Sequence, residues 1–151
     1  MWTTISFKKS SGVTIASDVK EKYQMVKTGK KNPYIVFKLS DDLKSIVVDK
    51  IGEPGETFED FRNHMLAAAE CKQGRYAVYD LVPDEEEASK NKTGDLVFIV
   101  WISDDDCGIK QKMLYSSSKD AIKKACEGFK KELQCNESSD LTLEELRKRM
   151  K

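Results

Sequence analysis

The residues best suited to chemistry fall in one string, Lys110-Gln111-Lys112-Met113-Leu114-Tyr115-Ser116-Ser117-Ser118-Lys119-Asp120. It sets paired lysines, a methionine and a serine run at what reads as the beginning of a helix. Cations there oppose the helix dipole, at about 0.3–1 kcal/mol each, so Lys110 and Lys112 are poor choices for stability. At about 100° per residue, positions two apart lie on nearly opposite sides of a helix. Lys110 is therefore expected at the helix start and Lys112 in the first turn. The pattern fits contact with an acidic partner better than it fits a stability role. Met113 suits either a core position or an adaptable apolar contact, and spacing alone favours the core.

Other reactive residues form no catalytic constellation. His64 is the single histidine, and it falls on a predicted helix beside Met65 and Leu66. Asp104-Asp105-Asp106 lacks the ligand spacing of a calcium loop and reads as a turn. No Gly-rich phosphate cradle is present. Cys71, Cys107, Cys126 and Cys135 make no Cys-x-x-Cys pair, which argues against zinc and for reduced thiols. No metal, cofactor or enzymatic activity is expected.

Charge and length narrow the class further. The 26 basic residues equal the 26 acidic ones, so no net charge favours nucleic acid. With 151 residues, one domain buries enough surface to fold without metal or disulfide. No secretory signal or run of membrane-spanning length is visible, and a cytoplasmic location is expected.

The elements that must position these residues follow from periodicity. Residues 1–10 read as a flexible N-terminal extension. Ser17 or Asp18 begins a helix with Val19, Tyr23 and Val26 inward, and Gly29 ends it. Tyr34–Leu39 and Ser45–Lys50 read as a β-hairpin. Thr57 caps a helix running to about Glu70, with Phe58, Phe61 and Met65 on one face. Gly74–Asp80 is a third strand. Leu96–Ile102 is apolar without alternation, so it should be buried on both faces in the middle of the sheet. Beyond Ser118 the helical stripe is Ala121, Ile122, Ala125 and Cys126, closed by Gly128. Phe129–Gln134 reads as a short edge strand, and Asp140 or Thr142 caps a last helix. The fold class is α/β, a mixed sheet with helices on both faces.

From about Ser11 to Met150 the chain resembles the actin-depolymerising factor/cofilin family. The matching strings are Ser11-Gly12-Val13, Tyr34-Ile35-Val36-Phe37-Lys38, Arg75-Tyr76-Ala77-Val78-Tyr79-Asp80, Leu96-Val97-Phe98-Ile99-Val100-Trp101, the 110–121 string and Glu132-Leu133-Gln134. They occur in family order and spacing. The resemblance implies a five- or six-stranded mixed sheet forming one domain, residues 11–151, and a monomeric protein of the actin cytoskeleton. It implies binding to monomeric and filamentous actin, with severing and depolymerisation of filaments. Carried over, the surface for both actin forms comprises Ser11, Gly12, Val13, Lys110, Lys112, Met113, Ser117, Ser118 and Ile122. The filament-specific surface comprises Lys90, Lys92, Lys148 and Arg149. Phosphoinositides would compete at Lys110, Lys112, Lys123 and Lys124. A kinase and a phosphatase would act on Ser11.

Three features depart from the family pattern: an earlier start, Thr93-Gly94-Asp95 in place of basic residues before the central strand, and an end soon after Arg149. The alternatives on the same fold are a regulator like glia maturation factor and one like coactosin. From another class, a phosphoinositide-binding adaptor would use the same basic patch.

Overall fold

The β-branched and aromatic runs become strands whose alternate side chains enter two separate cores. The computed structural model describes residues 12–29, 31–81 and 95–150. In order, these form β1 (Thr14–Ile15), α1 (Val19–Gly29), β2 (Tyr34–Leu39), β3 (Ser45–Ile51), α2 (Phe58–Glu70), β4 (Arg75–Leu81), β5 (Asp95–Trp101), α3 (Ile109–Ala125), β6 (Lys131–Cys135), a 3-10 turn (Ser138–Asp140) and α4 (Leu143–Met150). The six strands lie in the order β1-β3-β2-β4-β5-β6. The outer pairs β1/β3 and β5/β6 are parallel and the inner pairs antiparallel, giving the mixed sheet that the sequence predicts.

Both faces of the sheet are covered. Ile35, Phe37, Tyr76, Val78, Phe98 and Val100 pack with Val19 and Tyr23 of α1 and Tyr115 and Ile122 of α3. Tyr34, Val36, Ala77, Val97 and Ile99 face Phe61 and Met65 of α2 and Leu146 of α4. Two-sided burial is why β5 shows no alternation of polarity. It lies second from the edge rather than at mid-sheet, and β6 supplies its outer partner.

Local signals fix the helix starts on the α2/α4 side. The Thr57 side chain accepts from the Asp60 amide while the Asp60 carboxylate accepts from the Thr57 amide, a capping box. Tyr34, Phe61 and Tyr79 bring their rings to centroid distances of 4.9–5.9 Å and dock the first turns of α2. Thr142 caps α4 by accepting from the Glu145 amide at 3.1 Å. Asp140 instead accepts from the amides of Asn136 and Glu137.

The lone histidine is part of a polar clamp. His64 Nε2 lies 2.7 Å from Asp49 Oδ2, and Arg75 Nε donates to the same oxygen at 3.0 Å. Burial alone would raise the Asp49 pKa; the His64 hydrogen bond and the Arg75 guanidinium outweigh it and hold the carboxyl at about 2. A depressed carboxyl stabilises the fold above its unfolded pKa, near 4, and that contribution is lost as pH falls from there toward 2. Asp49→Asn is expected to lower stability at neutral pH by about 2 kcal/mol and to shrink the loss between pH 5 and pH 2. Denaturant unfolding at several pH values checks both.

Candidate functional site

The long helix α3 has one face cemented to the sheet and one face free. Tyr115, Ser118 and Ile122 are its buried residues. The Tyr115 hydroxyl accepts from the Leu39 amide at 2.9 Å, and the Tyr115 carbonyl accepts from the buried Tyr76 hydroxyl. The Tyr76 and Tyr115 rings lie 4.9 Å apart. These contacts set the rotation of the helix about its axis. The opposite stripe is exposed: Ile109, Lys110, Met113, Ser116, Ser117, Asp120 and Lys124. Ile109 is 77% exposed and Met113 64%. Met25 of α1 completes the set of large exposed apolar side chains among the described residues.

The expected contact residues separate into distinct groups. Lys110, Met113 and Ser117 lie on the exposed stripe, so Met113 is not the core residue that its spacing favours. Gly12 is exposed with φ of +71°, and Val13 packs partly into the α1/α3 core. They lead into β1, against which α3 packs, so this segment and the helix share one side of the molecule. Ser118 and Ile122 do not lie on the exposed stripe: they are 1% and 0% exposed, because they share the helix face that Tyr115 pins to the sheet. Ser11, Lys90 and Lys92 lie outside the described residues.

The basic residues are not equally available. Lys112 Nζ turns back to the Asp104 carbonyl at 3.1 Å. Glu132 of β6 holds Lys119 at 2.9 Å and Lys123 at 2.7 Å. Burial raises the Glu132 pKa, but hydrogen bonds from those two lysines leave it below the ordinary value, and the Glu132 hydrogen bond raises that of Lys123. Lys110 and Lys124 remain exposed. Lys148 is exposed, whereas Arg149 clasps α4 to β6. Arg149 reaches Glu145 at 3.0 Å, Asp140 at 2.7 Å and the Gln134 carbonyl at 2.8 Å.

Sequence reasoning missed Ile109 and Ser116. Their signal is phase: Ile109 precedes Tyr115 by six positions, about 240° around the helix, and so falls away from the sheet once Tyr115 points inward. Cys107, Cys126 and Cys135 are buried and Cys71 is exposed. Burial pushes the thiols of Cys126 and Cys135 up to about 12. Among the described residues no group of His, Cys, Asp and Glu could hold a metal, and no helix is long and apolar enough to cross a membrane.

A mixed six-stranded sheet with such a helix along one face is the actin-depolymerising factor/cofilin fold. The cofilin of Streptomyces griseoflavus superposes with a TM-score of 0.78 at 33% identity, covering 92% of this chain and 97% of its own. Cofilin of Gibberella zeae is 40% identical over 91% of this chain and 93% of its own length. Actophorin of Entamoeba histolytica is 36% identical over 90% and 93%. Residues 12–151 match the cofilin/tropomyosin-type actin-binding proteins, and the chain belongs to that family.

Three substitutions separate seated side chains from free ones. Ile122→Ala is expected to cost about 2–5 kcal/mol of stability, read by chemical denaturation. Arg149→Ala should lower the unfolding midpoint while Lys148→Ala leaves it unchanged.

Proposed function

We propose that this protein binds monomeric and filamentous actin through the outward stripe of α3 together with the Gly12-Val13 segment, and that it promotes severing and depolymerisation of filaments at the actin cytoskeleton. The observation that carries this reading is the exposure of Ile109 and Met113 on a helix whose other face is fully seated. Burying a large aliphatic side chain contributes about 1.5–3 kcal/mol, so a well-formed stripe leaving two of them in water needs a reason outside the fold. Family membership supports actin as the partner, and the relatives bear the names cofilin and actophorin.

Met113 and Ile109 supply the apolar anchors, and Lys110 supplies the cation that steers the helix toward an acidic surface. Lys112 braces the first turn. Filament contact is assigned to Lys148, with Lys90 and Lys92 carried over from the resemblance. Anionic phosphoinositide headgroups would compete through Lys110 and Lys124, the exposed α3 lysines, which have no hydrogen-bond or ion-pair partner among the described residues. Phosphorylation of Ser11 would add about −1.5 to −2 of charge beside this surface and oppose an acidic partner.

The test is cosedimentation with actin filaments, filament length by microscopy, and monomer affinity. Wild-type protein should cosediment and shorten filaments. Met113→Ala and Ile109→Ala are each expected to weaken monomer binding about tenfold with unchanged thermal stability. With Lys112, Lys119 and Lys123 tied inside the molecule, monomer affinity should fall only modestly with added salt. A wild-type chain that leaves filament length and monomer release unchanged defeats the proposal.

A further inference from the structure

The docking residues sit on the least self-sufficient turn of α3. Gly108 occupies the N-cap and offers no side-chain cap, where Ser, Thr or Asp would stabilise the turn. Lys110 and Lys112 add charge of the unfavourable sign for a helix N-terminus. The turn is nevertheless helical from Ile109 onward, so something outside the helix holds it.

Two tertiary contacts do so, and one has no part in charge. Lys112 Nζ reaches the Asp104 carbonyl. On a different side of the turn, the Gln111 side-chain oxygen accepts from the Gly74 amide at 3.1 Å. An amide N–H can only donate, which settles which end of the Gln111 carboxamide faces it. Gly74 is itself held hard. Arg75, 7% exposed, donates to the Gly74 carbonyl at 2.8 Å, to Gln73 Oε1 at 2.9 Å and to Asp49 at 3.0 Å. The lack of a side chain at Gly74 permits the close approach. A Cβ there would lie 3.0 Å from the Tyr115 ring and 3.1 Å from the Trp101 carbonyl. The Gln73–Arg75 hook is thus a fixed point of the sheet pressed against the docking helix.

We infer that Gln111 is the positioning residue of the docking turn: by accepting from Gly74 it locks the first turn of α3 to the sheet and presents Ile109, Lys110 and Met113 already ordered. The inference rests on the docking reading above and deepens it. Gln111 is half-buried between two lysines and acts through its neighbours. A turn that frays when free must be ordered on binding, and ordering weakens affinity.

The experiment uses the full chain as wild type, Gln111→Ala and Gln111→Glu. The glutamate keeps an acceptor for the Gly74 amide. Amide hydrogen exchange is followed at Gly74, Lys112 and Met113, and monomer affinity is measured with and without Met113→Ala. Gln111→Ala is expected to speed exchange at all three amides, to weaken monomer binding about fivefold to tenfold, and to reduce the further loss caused by Met113→Ala. Gln111→Glu should restore slow exchange. Unchanged affinity in Gln111→Ala overturns the inference. So does weakened binding with unchanged exchange at Lys112 and Met113, which would make Gln111 a direct contact, or a Met113→Ala loss equal in both backgrounds. If wild-type protein fails to bind actin, the docking reading falls, and the exchange data alone decide whether Gln111 holds the turn.

Discussion

Tyr115 sets the relation between helix and sheet on which the exposed surface depends. Its hydroxyl accepts from the last amide of β2, its carbonyl accepts from a buried tyrosine on β4, and its ring fills the space between them. Two anchors, one on the side chain and one on the main chain of Tyr115, fix the rotation of the helix about its axis. With Tyr115 locked, Ser118 and Ile122 must face the sheet, and Ile109, Lys110, Met113, Ser117 and Lys124 must face water. The same interaction that completes one core therefore selects which residues of the helix stay outward.

The two sides of the sheet divide the labour. The α2/α4 side is closed by an aromatic cluster, a capping box and the Arg149 clasp. The Asp49 clamp couples that side to the end of β4, next to the loop that touches α3. The α1/α3 side carries the exposed apolar residues. The residues that seat the helix and those that stay exposed are thus different ones, and the outward stripe keeps apolar side chains that the cores do not use.

Charge on α3 is arranged by position more than by number. Glu132 pairs with two lysines from the neighbouring strand, and a turn carbonyl takes a third. These contacts leave Lys110 and Lys124 as the exposed cations of the helix. A uniformly basic helix would attract any polyanion; one with most of its cations engaged relies on the fit of Ile109 and Met113.

Much of the fold was legible in the order of residues. Tyr34–Leu39, Arg75–Leu81 and Leu96–Trp101 declare strands because β-branched and aromatic residues pack well on a pleated surface. The unalternating run in β5 declares two-sided burial, Thr57 a helix start, and Gly29 a helix end. These are short-range rules, satisfied within a few residues. The motifs also marked the family. What the order of residues left open was phase and pairing. Met113 and Ile122 are both apolar residues on one helix, and only the Tyr115 anchor makes one solvent-facing and the other core. Lys110 and Lys112 differ only because the Asp104 carbonyl lies within reach of one. Lys123 and Lys124 differ because Glu132 arrives from β6. Each of those partners is brought near by the closing of the sheet, so the choice of which side chains are free belongs to the tertiary structure.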